Sequence, residues 1–257
     1  MTTTVRTTPA ERVPMDSLRT TALIAGGLYL ITFIAGIPPA LFLYGDVLNN
    51  PAYIVSSTAD TAVLWGGLLE LINAVACIGT AVVLFPVVKR QNEAAALGFV
   101  TSRMLEAAII VVGVMSILSI ATLRQDLAGA AGTDAAALVT TGHALVAIYD
   151  WALLLGPGVM PAFNALLLGY LLYRSGLVPR AIPLMGLIGA PLLLTSAITT
   201  MFGINDQVSV LSGIAVIPIF FWELSLGVYL VVKGFRPSPI TSTTVPPAPT
   251  HASQPVA

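Results

Sequence analysis

The sequence predicts an all-α fold, a polytopic membrane helix bundle with six transmembrane helices. The chain has 257 residues, of which 56% are hydrophobic and 9% charged, whereas soluble domains carry about 25% charged residues. Six continuous apolar runs each approach or exceed the roughly 20 residues that a helix needs to cross a bilayer. Lipid cannot satisfy open backbone groups, and the runs do not alternate in polarity, so helices are predicted rather than a barrel.

The first run, 21–44, follows a polar, threonine-rich segment, 1–20. Its 24 residues exceed the roughly 7–15 of a cleavable signal sequence, and no clear small-x-small cleavage site follows it. We therefore expect a retained transmembrane helix, with residues 1–20 as a polar cytoplasmic N-terminal segment.

The second and third runs, 61–88 and 94–123, are separated by a short polar segment around Lys89. The fourth run, 140–173, has 34 residues, or about 51 Å of helix, which is too long for one straight crossing. Gly156-Pro157-Gly158 and Pro161 interrupt this run, so a kink is predicted there. A separate interfacial helix before the fourth span, from Asp134 to Tyr149, stays open as an alternative.

The fifth and sixth runs, 181–203 and 208–232, complete a predicted six-helix transmembrane domain over residues 21–236. The remaining segment, 237–257, is rich in proline and threonine. Such a composition cannot bury enough apolar surface to form a core. We expect it to be a disordered cytoplasmic tail.

The basic residues predict the orientation of the bundle. Nine of the 11 lie beside the same ends of the predicted spans, one lies inside a span and one at the opposite ends. Because basic residues accumulate on the cytoplasmic side, both termini of this multi-pass protein are predicted to be cytoplasmic. Tyrosine and tryptophan favour membrane interfaces, and the predicted outer belt consists of Tyr44, Trp65, Tyr149 and Trp151.

Charged residues inside the spans are the candidate site, because ionised groups are costly in hydrocarbon. Arg103 lies 10 residues after Glu93, and Glu223 lies 10 residues before Lys233, so both are about 15 Å from the inner face. We therefore predict an Arg103–Glu223 pair between helices. The predicted cluster, which extends from the midplane outward, comprises Glu70, Arg103, Glu106, Asp150 and Glu223.

Three interpretations of this cluster stay open. Four acids facing one arginine leave negative charge that a cation, a proton or a small polar ligand could balance, which favours a small transporter or a ligand- or cation-binding membrane protein. Alternatively, the cluster only packs helices in a non-catalytic scaffold or interaction protein. A second alternative is an intramembrane enzyme that uses paired acids for acid–base chemistry, although no catalytic residue is assigned.

The remaining partners are bounded by composition. The bilayer is the expected partner, and a net charge of −1 argues against nucleic acid. One cysteine and two histidines are too few for a Cys/His zinc site; other metal binding is left unassigned. No cofactor is predicted, and the oligomeric state is left unassigned.

Short motifs spread along the chain suggest a family. They include Leu68-Leu69-Glu70, Phe85-Pro86-Val87-Val88-Lys89, Arg103-x-x-Glu106, Asp150-Trp151-Ala152 and Val232-Lys233-Gly234-Phe235. On these motifs the chain resembles, from about Arg19 to Phe235, a bacterial membrane family known as domain of unknown function 4386. The resemblance implies a protein of the bacterial inner membrane and implies no activity.

Overall fold

The computed structural model describes residues 15–50, 52–56, 59–127 and 134–241, and it is helical throughout its regular elements. Six helical segments within this described part are long and apolar enough to cross a membrane, as the sequence predicts. The α-helices are α1 (Met15–Pro38), α2 (Gly45–Asn49), α3 (Thr61–Val88), α4 (Glu93–Leu127), α5 (Ala135–Leu155), α6 (Met160–Ser175), α7 (Ala181–Met201) and α8 (Val210–Val232).

Local sequence explains where several helices begin and end. The Asn92 side chain accepts a hydrogen bond from the Ala95 amide at 3.0 Å before α4, and Asp134 accepts from Ala136 at 2.9 Å before α5. These are N-caps, which satisfy amides that have no partner within the helix. At the other end, Gly176 after α6 has φ 69° and Gly234 after α8 has φ 75°, a left-handed conformation that favours glycine.

The fourth span is divided into α5 and α6 at the proline- and glycine-rich interruption that the sequence predicts. A Cβ atom on Gly158 would lie 2.3 Å from the Leu154 carbonyl oxygen, so this turn requires glycine. The helix considered before the fourth span is α5, and it continues beyond Tyr149 to Leu155. It packs along α4, where the Ser116 hydroxyl donates to the Leu145 carbonyl at 2.6 Å.

The six spans form a closed ring. Each neighbouring pair along the chain packs together, with the α5–α6 span between α4 and α7, and α1 closes the ring by packing against both α3 and α8. We call the end of the ring that carries Arg19, Lys89 and Lys233 the basic end, and the other end the opposite end. Successive spans are joined at alternating ends of the ring, so they run antiparallel.

The two halves of the ring are packed differently. At the basic end, all six spans contribute to one buried core with Tyr29, Leu84, Phe99, Leu168 and Trp222 among its side chains. At the opposite end, a separate core joins α3, α4 and α5 to the 44–55 segment. There α5 packs mainly on α4 and the 53–55 turn, while α6 packs on α4 and α7. The α1, α7 and α8 side of the ring is therefore less tightly closed at the opposite end.

Both predicted segment boundaries differ from the structure. Helix α1 begins at Met15, six residues before the apolar run, and residues 1–14 lie outside the described residues. After α8 the chain returns to the bundle, where the buried Ser238 hydroxyl donates to the Ser175 carbonyl at 2.5 Å and Ile240 packs against the core. The contacts place 238–240 with the folded domain. The rest of the predicted tail, 242–257, lies outside the described residues.

Candidate functional site

Arg103 is the centre of a polar cluster in the middle of the bundle. Its side chain is 1% exposed. Its Nη2 contacts Glu223 Oε1 on α8 at 2.5 Å, and its Nη1 contacts Glu106 Oε2 on α4 at 3.1 Å. The predicted Arg103–Glu223 pair between helices is thus confirmed, and one guanidinium is shared by two carboxylates.

Aromatic rings and a sulfur surround the same guanidinium. The Tyr29 ring centroid lies 5.1 Å from its central carbon and the Phe99 centroid 5.9 Å, within the range of cation–π attraction. Arg103 Nη1 also lies 3.6 Å from the sulfur of Cys77. Cys77 lies in the second apolar run, and hydropathy does not show which neighbour a side chain in such a run faces.

Glu106 is held by a third helix. The Asn164 Nδ2 on α6 donates to Glu106 Oε2 at 2.7 Å, so this oxygen accepts from both Asn164 and Arg103. The other carboxylate oxygen, Oε1, accepts no hydrogen bond from the described residues, and the same is true of Glu223 Oε2. Each carboxylate therefore retains one oxygen that is available to a further donor.

Glu70 forms a second, separate part of the site. Its two oxygens accept hydrogen bonds from the Tyr44 hydroxyl at 3.1 Å and from the Tyr149 hydroxyl at 3.3 Å. The two tyrosine rings meet edge to face with their centroids 5.4 Å apart. Both tyrosines are buried and therefore face the bundle rather than lipid, whereas the other two residues of the predicted belt, Trp65 and Trp151, are exposed.

Asp150 does not belong to the cluster that the structure brings together. It is exposed on α5, next to the exposed Trp151. The sequence predicts how deep Asp150 lies along its helix but not which way its side chain faces. Most of α5 is apolar, so the sequence pattern does not distinguish its packed face from its exposed face. The neighbouring Tyr149 points inward to Glu70, and Asp150 therefore points away from it.

A cavity of about 190 Å³ lies above the cluster, toward the opposite end. Three carboxyl groups and one guanidinium line it, those of Glu70, Glu106, Glu223 and Arg103. The remaining wall is mainly apolar, with Phe33, Ile110, Leu153, Leu193 and Phe220 among its residues. The volume is sufficient for several water molecules or one small ligand.

Helical position shows how the cavity is oriented. It is lined by the last third of α1, the first half of α8 and the α5–α6 break at Pro157. Ile37 and Phe220 in its wall are 36% and 37% exposed. The dense core with Leu84, Phe99 and Leu168 lies on the basic side of the cluster. The cavity is therefore closed toward the basic end and less closed toward the opposite end.

An ion pair that the sequence did not predict lies at the opposite end. Asp60 before α3 pairs with Arg124 of α4, and it accepts from the Gln125 amide at 2.9 Å and the Tyr53 hydroxyl at 3.0 Å. Burial favours a higher pKa for Asp60, but the hydrogen bonds from Arg124, Gln125 and Tyr53 outweigh it and lower the pKa below its ordinary value of 3.8. Arg124 is the one basic residue that the sequence predicts at the opposite ends of the spans, and it lies in the last turn of α4.

The described residues contain no group of three or more His, Cys, Asp or Glu side chains arranged to hold a metal ion. Exposed His143 borders a smaller cavity of about 50 Å³ near Tyr53 and Ile120. The arrangement at Arg103 instead offers carboxylate acceptors beside an apolar wall.

Comparison with known proteins identifies a family. Residues 24–234, most of the chain, match the model of the family described as domain of unknown function (DUF4386). No curated protein and no solved structure matches the chain. The six-span bundle with the carboxylate–arginine cluster at its centre therefore belongs to the DUF4386 family of proteins.

Proposed function

We propose that this integral membrane protein is a small transporter or ligand-binding protein of the cell membrane that takes a small cation from the outer side. The observation that carries the proposal is the lining of the central cavity, where three carboxyl groups accompany one guanidinium. Fully ionised, these side chains have a net charge of −2. A cation that enters the cavity lowers this charge, and an ionised group in a membrane interior needs such a partner.

The unused carboxylate oxygens support binding over a purely structural role. If the cluster served only to pack helices, each carboxylate oxygen should accept a hydrogen bond from a neighbouring side chain, as Glu106 Oε2 does from Arg103 and Asn164. Glu106 Oε1 and Glu223 Oε2 have no such partner among the described residues, and both side chains line the cavity. They are acceptors without a protein donor.

The broken fourth span supports transport in particular. Pro157 and Pro161 of the α5–α6 break line the same cavity as the carboxylates. In many transporters, discontinuous helices border the substrate site near the midplane and allow one part of the bundle to move against another.

The direction of access depends on the proposed topology. Arg19, Lys89, Arg174, Arg180 and Lys233 lie at the basic end of the described bundle, and basic residues mark the cytoplasmic side. Both termini are then cytoplasmic, and the cavity is less closed toward the outside.

Cysteine labelling of intact cells tests the topology. In a Cys77→Ser background, Asn49→Cys should react with a membrane-impermeant maleimide added outside, and Gln91→Cys should react only after the membrane is opened. Labelling of both positions from the same side would contradict the six-span orientation.

Thermal unfolding of the purified protein in detergent tests the binding. Sodium, potassium, magnesium, methylammonium and benzylammonium chlorides are compared at equal ionic strength. We expect at least one cation to raise the melting temperature of wild type, because binding to the folded state stabilises it. The effect should vanish in Glu223→Gln.

Asp150→Asn is the matched control, because it removes another carboxylate of a predicted span, one that is exposed and does not line the cavity. It should respond to the cation as wild type does. If no cation distinguishes Glu223→Gln from wild type and Asp150→Asn, the binding proposal fails and the helix-packing role of the cluster stands.

A further inference from the structure

We infer that the cation is an organic ammonium with a small apolar body, rather than a bare metal ion. This inference rests on the proposed function and names the class of ligand that the cavity takes. It follows from the polar floor, the apolar wall and the volume of the cavity taken together.

Two carboxylate oxygens at the floor of the cavity have no hydrogen-bond donor among the described residues, although the buried Arg103 Nε also has no partner there. Glu106 is 4% exposed, lines the cavity, and keeps Oε1 without a partner in the described part of the chain. Glu223 Oε2, on the facing helix α8, also has no hydrogen-bond partner among the described residues. An ammonium group carries up to three N–H donors and a positive charge. A primary amine therefore supplies both the hydrogen bonds and the charge that these oxygens lack.

The existing cation cannot fill this role. Both terminal nitrogens of Arg103 are already engaged, Nη1 by Glu106 and Nη2 by Glu223. The guanidinium is also fixed between Tyr29 and Phe99. Arg103 thus orients the two carboxylates and leaves one oxygen of each for the ligand.

The walls favour a ligand with an apolar part. Phe33 of α1 and Phe220 of α8 meet edge to face, with ring centroids 5.1 Å apart, and both line the cavity. Ile110, Leu193 and Ile219 continue this surface. Apart from its carboxylates, the lining has two side chains with an oxygen, Thr32 and Asn73, and the hydrocarbon walls supply none, whereas metal cations such as Mg²⁺ and Ca²⁺ take six or more oxygen ligands. A metal ion would have to retain its water shell here, while an organic cation replaces water with apolar contact.

The volume limits the size of this body. Pockets for drug-sized ligands measure roughly 300–1,000 Å³, and this cavity measures about 190 Å³. A propyl, butyl or benzyl group is therefore a better match than a larger or polycyclic one.

Equilibrium dialysis of the purified full-length protein against radiolabelled benzylamine tests the inference, with protein-free micelles as the blank. Benzylamine should bind, and propylamine should compete more strongly than methylamine by about fourfold per added methylene. Benzyl alcohol, which has the same shape without the charge, should compete at least tenfold more weakly. Phosphatidylethanolamine, a lipid whose headgroup carries a primary ammonium, tests whether the ligand is a lipid instead. It should not displace benzylamine.

Phe33→Leu should weaken benzylamine binding several-fold and leave methylamine binding unchanged, because only the ring contact is altered. Phe42→Leu is the matched control, since Phe42 lies on the same candidate membrane span, Ser17–Leu43, and is 73% exposed. It should leave both amines unaffected.

The outcomes separate the two proposals. Glu223-dependent binding of sodium, potassium or magnesium, without competition from benzylamine, would leave the proposed function standing and overturn the amine inference. Equal competition by benzyl alcohol and benzylamine would also overturn it. Displacement by phosphatidylethanolamine would overturn the small-amine assignment. Binding of none of these cations contradicts the proposed function itself.

Discussion

Arg103 is the residue on which the described interior depends most. Its guanidinium stays charged at any accessible pH, it is almost fully buried, and it links α4 to α8 through Glu223. Removing one partner of a buried pair is more costly than removing both, because the remaining charge has no counterpart. The Arg103–Glu223 pair therefore limits which single substitutions are tolerated more than it adds to the free energy of unfolding.

A double-mutant cycle tests this link. Arg103→Ala should lower the free energy of unfolding in detergent by about 3–5 kcal/mol, because Glu106 and Glu223 lose their shared cation. Combining it with Glu223→Gln should restore part of this loss. Melting temperatures of wild type, both single variants and the double variant measure the coupling, and simple additivity would show that the two residues do not interact.

Asp60 gives a pH-dependent prediction. Its pKa is lowered in the folded protein, so its contribution to stability is complete above the ordinary value of 3.8 and is lost as the pH falls through the lower folded value. Asp60→Asn should therefore be less stable than wild type at pH 7, by about 1–3 kcal/mol, since Arg124 loses its counter-charge. The difference in the free energy of unfolding between the two proteins should become smaller below pH 3.8.

Melting temperatures of both proteins from pH 7 to pH 3 check this expectation. Asp46→Asn is the control, since Asp46 is exposed on the neighbouring helix α2. A gap between wild type and Asp60→Asn that stays constant down to pH 3 would contradict the assigned role of the carboxylate.

Depth along a helix could be predicted from the sequence, but rotation about its axis could not. Arg103 and Glu223 lie equally far from charged residues at the basic end, and this distance predicted their pairing. Tyr149 and Asp150 are adjacent, yet one is buried against Glu70 and the other exposed. A membrane helix is apolar on its lipid face and its packed face alike, so hydropathy does not distinguish the two directions.

The helices meet where glycine allows close approach. At the α1–α8 crossing, a Cβ atom on Gly26 would lie 2.7 Å from the Gly227 carbonyl oxygen, whereas one on Gly27 has no neighbour within 4 Å. Small residues at such crossings are typical of membrane helix pairs. Substitutions at these two adjacent glycines therefore measure the effect of helix packing and the effect of helix propensity separately.

Gly26→Ala should destabilise the protein by about 1–3 kcal/mol, because α1 and α8 must move apart. Gly27→Ala should be neutral or stabilising by up to about 1 kcal/mol, because alanine is the better helix former. Thermal unfolding in detergent compares the two. Equal effects of both substitutions would refute the close crossing.

Element boundaries were predictable only where the chain carries a backbone signal. The break at Gly156-Pro157-Gly158 was predicted because proline removes an amide and disrupts the helix. The start of α1 at Met15 was not, because hydropathy detects the stretch that matches the hydrocarbon and misses helical turns that extend beyond it. The path of 238–240 along the bundle was also missed, since composition alone indicated a solvated tail.

The whole molecule is a ring closed between its first and last spans. Arg19 at the start of α1 donates to the Leu230 carbonyl at 3.1 Å and the Val231 carbonyl at 2.7 Å, at the end of α8. A cation at a helix C-terminus satisfies free carbonyls and the helix dipole. The number of spans was predictable from apolar runs, whereas this closure depends on side chains distant in sequence.

Two truncations test where the folded domain ends. Removal of residues 242–257 should leave the melting temperature unchanged, because the contacts described for the C-terminal segment end by Thr241. Removal of 238–257 should lower it by about 2–4 °C, the change expected for a loss of about 1 kcal/mol in a chain of this size, since the Ser238 hydrogen bond and the Ile240 contact are lost. Identical melting temperatures would show that Ser238 and Ile240 contribute nothing.

The sharing of Arg103 between two carboxylates has a consequence for biogenesis. Glu223 is 120 residues beyond Arg103, so at about 5–20 residues per second the ribosome synthesises it roughly 6–24 s later. During that interval the nascent third span enters the bilayer with a guanidinium whose final partner does not yet exist. Glu106, one helical turn away, is already present. It supplies the counter-charge to Arg103 until the last span has been synthesised.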